Sequence, residues 1–471
     1  MTAIIITKVG ERKGTHRIWF EGAKLEREGY RLGTTYQVDE SNPDRLTLIR
    51  VDDPRDSRVV SGRKRGSKQV PIIDLNNKAL AKWFEIEDKI RIAIRRGKIV
   101  ITKHHLTGQM KERLDRLRKK IAEKKKLAVH SHYHGGGVLD LAIHSGFAKA
   151  GVGSYVQVAI ELERKYQDIS LERNPELFQD DSILIEGPIQ DVRCDPRVKA
   201  DVLLAGIPCT GASTAGRAKM RDTKGEKRTY LPEEHDQAGA LFYYTLRYIE
   251  SAQPAIVIIE NVKAYSSTAS MAVIRAVLSN QGYRVSERVL TGNEFGALEN
   301  RERLCVVAVT EGLEDIIDLD ALIPIQKKPE TLGEVLEDIP EDSDMWSEMA
   351  YLAEKEKRDI AQGKGFRRQL FTGAEDRIST VTRQYIKRRS TDPFIQHPTD
   401  SKLSRLLTKL EHAAVKGIPA KLVDDDDISA SLAHELLGQS IVFPMFEAVG
   451  YWLGRTLNQA FNLQSNLELV A

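Results

Sequence analysis

Asp201-Val202-Leu203-Leu204-Ala205, broken by Gly206-Ile207-Pro208-Cys209, constrains this chain more than any other stretch. A short apolar run without alternation, closed by turn residues, reads as a strand buried on both faces in a parallel sheet. Proline cannot donate to the ladder, so the backbone leaves the sheet at Pro208. Ligands of open α/β sheets bind at the carboxyl ends of the strands. Cys209 therefore sits where a functional thiol would sit.

Four further runs repeat the pattern: Ala128 to His132, Tyr155 to Glu161, Ser182 to Ile189 and Ala255 to Ile259. With helical stretches between them, such as Gly239 to Ser251, they predict an α/β fold around a mostly parallel, doubly wound sheet. The chain has 471 residues, enough for two or three domains, and is 30% charged and 41% hydrophobic, a soluble globular profile. It lacks the run of about 18 apolar residues that a spanning helix needs, and Met1 to Thr7 has no basic leader, so a membrane role is not expected. Three scattered cysteines, Cys194, Cys209 and Cys305, form neither a disulfide framework nor a CxxC zinc pair. The expected location is a reducing, bacterial cytoplasm with the nucleoid as substrate.

Charge is unevenly spread. Residues 1–127 carry 32 Lys+Arg against 17 Asp+Glu, a balance of +15, whereas the remainder totals −12. A basic arm on an acidic body implies a polyanionic partner. Within the arm, Arg17 to Ile49 and Val70 to Thr102 follow the same plan: a strand, one or two helical turns, then an alternating hairpin. This is a tandem duplication, and it resembles the swapped-hairpin (AbrB-like) DNA-binding domains. Between the copies, Arg58 to Lys68, with Gly62-Arg63-Lys64-Arg65-Gly66-Ser67-Lys68 inside it, reads as a phosphate-contacting loop. Leu106 to Leu127 reads as a basic linker helix.

The body opens with His132-Tyr133-His134-Gly135-Gly136-Gly137 between a strand and a helix, where glycines let the backbone approach a ligand. Glu161 ends the next strand, at the spacing at which a carboxylate takes the hydroxyls of a ribose. Either NAD or S-adenosylmethionine suits that pattern. His130, His132 and His134 alternate but have no matching acidic or cysteine ligand, so no metal is expected. Glu260 follows the fifth strand and faces the same crevice as Cys209, the pairing that covalent attack on an electron-poor ring requires: a nucleophile and an acid. Arg301 and Arg303 fall on one side of an extended segment, suited to a carbonyl, a phosphate or that carboxylate.

In this order the stretches resemble the cytosine-5 DNA methyltransferases from about Val129 to Leu457. Tyr133 to Gly137 stands for Phe-x-Gly-x-Gly, Gly206-Ile207-Pro208-Cys209 for Gly-x-Pro-Cys, and Glu260-Asn261-Val262 for Glu-Asn-Val. Glu299-Asn300-Arg301-Glu302-Arg303 stands for Gln-x-Arg-x-Arg, Arg405 to Glu411 with Gly417-Ile418-Pro419 for Arg-x-Leu-Thr-x-x-Glu…Gly-x-Pro, and Gly438 to Val442 for Gly-Asn-x-Val. The resemblance implies a Rossmann-like methyltransferase sheet and S-adenosylmethionine as methyl donor. The substrate it implies is double-stranded DNA with its target cytosine flipped out, and the enzyme a monomer whose N-terminal arm is able to dimerise. It implies that Cys209 attacks carbon 6, Glu260 bonds ring nitrogen 3, Arg303 holds the carbonyl and Arg301 braces the nucleophile loop. Tyr133, Gly135, Gly137, Glu161, Ile189, Ser440 and Val442 would line the cofactor site. Thr210, Ala212, Pro188, Val138, Glu299 and Gln439 depart from the family pattern and bear on cofactor affinity and loop closure. The expected layout is residues 1–105 as the basic domain, 106–127 as linker, 128–311 as catalytic domain, 312–375 as target-recognition segment and 376–471 as the part completing the catalytic domain. The alternatives are an RNA cytosine methyltransferase and a DNA-binding regulator with an impaired body.

Overall fold

The computed structural model describes residues 2–53, 55–208, 233, 235 and 238–468, with side chains described through Phe461. Two compact units emerge, Met1–Glu112 and Arg113–Ala471. The first contains β1 (Ala3–Lys8), β2 (Gly10–Arg12), β3 (Thr15–Glu21), α1 (Ala23–Arg27), β4 (Thr35–Asp39) and β5 (Arg45–Arg50). It continues with β6 (Arg58–Val59), β7 (Ser61–Arg65), β8 (Lys68–Asn76), a short turn at Lys78–Lys82, β9 (Lys89–Arg95) and β10 (Lys98–Lys103). One sheet runs β1-β9-β10-β5-β4-β6 and the other β2-β3-β8-β7. They enclose one core containing Ile18, Phe20, Ile73, Leu75, Leu48, Ile92 and Ile101.

The duplication is built into this pairing. β3 pairs with β8 and β5 with β10, both antiparallel. β1 pairs with β9 of the second copy, while β6 pairs with β4 of the first. Each copy thus lends its leading strand to the other copy's hairpin. The basic segment Arg58 to Lys68 is not a loop: Ser61–Arg65 pairs with Lys68–Ile72 as a hairpin. Every residue of β7 is exposed at a sheet edge, so no apolar alternation marks it, and its cations discourage edge-to-edge association.

α2 (His105–Ala122) crosses the boundary between the units. It ends earlier than the periodicity suggests, and its second half is no solvated linker. Leu117 and Ile121 are buried, and Arg116 Nε lies 3.1 Å from buried Asp201 Oδ1, which Lys120 also reaches. Asp201 Oδ2 in turn accepts from Ala128 N at 2.8 Å, tying two strand starts together.

The second unit continues with β11 (Leu127–His132), α3 (Val138–Lys149), β12 (Ser154–Glu161), α4 (Arg164–Arg173), β13 (Ile183–Glu186), β14 (Val202–Gly206) and α5 (Leu241–Ala252). Then come β15 (Ile256–Val262), α6 (Ala269–Asn280), β16 (Tyr283–Thr291) and β17 (Glu302–Thr310). The sheet order is β13-β12-β11-β14-β15-β17-β16, parallel throughout except for β17. The order reverses between β11 and β14, the switch point where α/β sheets open a crevice. β15 runs farther than its apolar stretch, through Glu260 and Asn261, because antiparallel β17 supplies partners up to Val262↔Arg303.

The remainder is α7 (Ala350–Ala361), β18 (Gln369–Phe371), β19 (Pro393–Gln396), β20 (Ser404–Arg405), α8 (Lys409–Val415), α9 (Ala430–Gln439) and α10 (Phe443–Glu468). β18, β19 and β20 form a small sheet over a separate cluster around Tyr385, Phe394, Leu352 and Leu407. α10 returns to pack backbone against backbone on α3. A Cβ on Gly146 would lie 2.2 Å from Glu447 O, and one on Gly450 would lie 2.5 Å from Ile143 O. Only glycine permits that approach.

Candidate active site

Tyr133, Glu161 and Glu260 stand at the carboxyl ends of neighbouring strands of the sheet. Residues alternate faces along a strand, so Glu260 and Val262 share one face, and Arg303, opposite Val262, shares it too. Arg303 Nε meets Glu260 Oε1 at 2.8 Å, with both side chains only slightly exposed. Gly206 pairs with Glu260 across β14 and β15, and a Cβ there would stand 3.8 Å from Glu260 Oε2 and 3.9 Å from Tyr133 O. The glycine therefore keeps the carboxylate open to the crevice. On the opposite face, buried Asn261 donates from Nδ2 to Ile207 O at 3.0 Å, fixing the start of the loop that leads to residue 209. Cys209, with Thr210 and Ala212, lies outside the described residues.

The other two cysteines occupy unreactive surroundings. Burial pushes the Cys305 thiol up to about 12 and also raises Cys194, so both stay protonated near neutrality.

Arg301 stands two residues before Arg303, just ahead of β17, and its contacts differ from the Glu260 contact of Arg303. Arg301 Nη2 donates to Gly438 O at 3.2 Å, and its Nη1 lies 3.6 Å from Glu299 Oε1. Glu299 is fully buried. Its Oε2 meets Lys416 Nζ at 2.6 Å, and Oε1 accepts from Val381 N at 2.8 Å. Burial, reinforced by Arg301, lowers Lys416 to about 7, while Lys416 and Arg301 hold Glu299 below the usual carboxylate range. Sequence reasoning missed Lys416. The one available signal was Glu299 itself, an acid where the family pattern has a neutral Gln.

The turn after β11 is held by His134, whose ring nitrogens lie 3.0 Å from Ser131 Oγ and 2.7 Å from Ser170 Oγ. Gly135 adopts φ 57 and Gly137 φ 75, left-handed values that suit glycine. Glu161 Oε2 accepts from Gly135 N at 2.6 Å and Oε1 from Glu163 N at 2.9 Å, so the carboxylate stands at the carboxyl end of β12. Tyr133 OH donates to Leu241 O at 3.0 Å, which ties its ring to α5. Ile189 is buried behind Gly187-Pro188. Ser440 Oγ donates to Leu436 O at 2.7 Å, and Val442 is buried beside Gly292. His130 lies 2.9 Å from Gln157 Oε1 and 3.1 Å from Tyr248 OH, while the His132 ring meets Tyr248 edge-on at 4.4 Å.

Two glycines open onto free space beside Glu161. A Cβ on Gly135 or Gly187 would meet nothing within 4 Å, so both glycines border open space, and Glu161 stands between their loops.

Comparisons with known proteins bear on the family and the fold. A family model described as C-5 cytosine-specific DNA methylase matches residues 142–455. The Type II methyltransferase M.NlaX of Neisseria lactamica is 28% identical over 255 residues, covering 53% of this chain and 74% of that protein. A DNA-cytosine methyltransferase of Escherichia coli K12 is 25% identical over 304 residues, covering 56% of this chain and 62% of that one. Among solved structures, the S. pombe Dnmt2 methyltransferase superposes with a TM-score of 0.52 at 16% identity, covering 71% of this chain and 99% of that one, a likeness of fold. The matched family spans most of the second unit, from the switch-point helix to the last helix, so the chain belongs to the C-5 cytosine-specific DNA methylases, enzymes that methylate DNA cytosine from S-adenosylmethionine.

Proposed function

We propose that Cys209, Glu260, Arg301 and Arg303 are the working residues of this methylase and that its substrate is a cytosine flipped out of double-stranded DNA. The observation that carries the reading is the Glu260–Arg303 pair at 2.8 Å, one strand over from the Gly206-Ile207-Pro208 turn. An unpaired, extrahelical base can reach such a crevice. The Cys209 thiolate forms a bond to carbon 6, the ring's electron pair moves toward nitrogen 3, and Glu260, acting in its protonated carboxylic acid form, gives nitrogen 3 its proton. Arg303 keeps Glu260 in place and binds the cytosine carbonyl. Bound S-adenosylmethionine would supply an electrophilic methyl group to carbon 5, its methyl–sulfur bond breaking to leave S-adenosylhomocysteine. A base then removes the carbon 5 proton, the bond between carbon 6 and the Cys209 sulfur breaks to restore the thiolate, and nitrogen 3 returns its proton to Glu260.

Glu161 and the turns at Gly135, Gly137 and Ile189 hold the nucleoside end of the donor, and Ser440 and Val442 bound the site from the C-terminal side. No helix among the described residues is long and apolar enough to cross a membrane. The working location is a bacterial cytoplasm, and residues 1–105 add a second, electrostatic hold on DNA.

Transfer of labelled methyl groups to mixed-sequence duplex DNA and to structured RNA, with wild type and Cys209→Ser, tests the reading. Transfer to the duplex that disappears in Cys209→Ser supports it. Undiminished transfer by Cys209→Ser, or transfer to RNA alone, refutes it.

A further inference from the structure

The unit Met1–Glu112 carries a symmetry that catalysis does not use. Val9 to Thr15 in the first copy corresponds to Val60 to Lys68 in the second, whose hairpin is longer by two residues. The backbone repeats the match. Val9 exchanges hydrogen bonds with Glu87 and Asp88, and Val60 exchanges the equivalent ones with Gly33 and Thr34. Both segments turn back as two-residue hairpins, with Arg12 opposite Thr15 and Arg65 opposite Lys68. Each turn holds a glycine of positive φ, Gly14 at 71 and Gly66 at 59.

The central pair relates the two tips. Strands β3 and β8 run antiparallel from Arg17↔Asn76 to Glu21↔Ile72, so a two-fold axis passes through the sheet between them. The turns lie at opposite ends of this four-stranded sheet, on its two edge hairpins. Following that register, Gly14 and Ser67 are separated by about 12 residue steps, or about 40 Å at the rise of an extended strand, and less once twist is included. One turn of B-DNA is about 34–36 Å.

Charge follows the same geometry. Ion pairs begin at the residues that close the turns: Arg12 lies 3.6 Å and Arg17 2.8 Å from Asp74, and Arg65 lies 2.6 Å from Glu21. At the tips Lys13, Arg63, Lys64 and Lys68 are exposed and make no ion pair among the described residues. The surface is therefore neutral at its centre and basic at its two ends.

We infer that Met1–Glu112 is a pseudo-dimer within one chain. Its two hairpin tips, turning at Lys13-Gly14 and at Gly66-Ser67 with Lys64 and Lys68 beside the second, enter successive grooves on one side of duplex DNA and read two inverted half-sites. The inference rests on the DNA reading above and deepens it. Because each copy completes the other, the arm needs no second chain to form this surface. The tips are unequal: with Arg12 and Arg65 closing the two turns, Glu11 stands where the second copy has Lys64, so the second half-site is held more tightly.

The test uses the full-length protein and a pool of random 40-bp duplexes. Bound DNA is selected at two salt concentrations, then footprinted with hydroxyl radicals, and methyl transfer on the same DNA is measured separately. The expected result is an enriched pair of inverted half-sites with centres about 10–11 bp apart. Lys13→Glu should erase protection of one half-site and Lys64→Glu that of the other, with the larger loss of affinity, and both variants should keep the wild-type circular dichroism spectrum. Binding without enriched paired half-sites, or a single tip variant that erases both protected segments, overturns the inference. Methyl transfer without the paired footprint leaves the proposed function standing, and the paired footprint without transfer removes that function alone.

Discussion

Glu299 and Lys416 form an ion pair with no solvent exposure on either side chain, and its dissection tests how the arginine pair is held. At 2.6 Å and an effective dielectric of about 20, the attraction is about 6 kcal/mol. Withdrawing two ions from water costs several kcal/mol each, so the intact pair is close to neutral for stability. Removing one partner is different. Lys416→Met strands Glu299 beside Arg301 without its closest cation, and Glu299→Gln strands Lys416 between two guanidiniums. Each single change should cost about 3–5 kcal/mol, whereas Glu299→Gln with Lys416→Met should recover most of that loss. Denaturant unfolding of the full chain measures the cycle, and methyl transfer on duplex DNA measures its effect on the site. The double variant should be more stable than either single one by about 3 kcal/mol and should transfer faster than both. Additive losses, with the double variant the weakest, would refute the argument, because they would mean that the two side chains contribute independently.

Three further outcomes follow from the packing and the charges. His132 is buried with no hydrogen-bond partner for its ring among the described residues, and burial lowers it to about 3. The unfolded chain then binds the extra proton below pH 6.5, so stability falls as pH drops from 6.5 toward 3. At pH 5 this costs about 2 kcal/mol, and His132→Phe should reduce the difference in unfolding free energy between pH 8 and pH 5 by that amount. Gly146→Ala should destabilise the second unit by more than 3 kcal/mol in a denaturant titration, since the contacted atoms at 2.2 Å and 2.5 Å are backbone of α10 and cannot rotate away. Glu260→Gln keeps the shape of the side chain but removes the carboxyl that gives nitrogen 3 its proton and that Arg303 holds. Single-turnover methyl transfer should fall at least about 100-fold while thermal stability changes little.

What the sequence discloses depends on whether a residue's neighbours are near it in the chain. The parallel strands were legible because burial on both faces demands uninterrupted apolar runs, and the residues at their ends, Glu161, Glu260 and Gly206, inherit their place from the strand. The hairpin at Ser61–Arg65 was not legible as strand, since an exposed edge imposes no apolar alternation and its cations look like loop. The extension of β15 through Asn261 depends on β17, some forty residues later, and could not be read from the run Ala255 to Ile259. Lys416 was invisible for the same reason: it lies 117 residues from Glu299, and nothing local marks a lysine as buried. The duplication was legible because it repeats a local pattern, but the exchange of leading strands between copies was not, since either copy could have paired within itself.

The glycine contact between α3 and α10 sets an order of events during synthesis. α3 is made soon after the first strand of its sheet, but the helix that covers it comes about 300 residues later. Until then Gly146 and its neighbours on α3 face water or a transient substitute. The first unit has all its strands within residues 3–103 and closes its own core, so it can finish while the rest of the chain is still on the ribosome. The N-terminal unit is thus complete well before the catalytic unit can close, and a nascent chain stalled before Phe443 would carry a finished first unit on an unfinished enzyme.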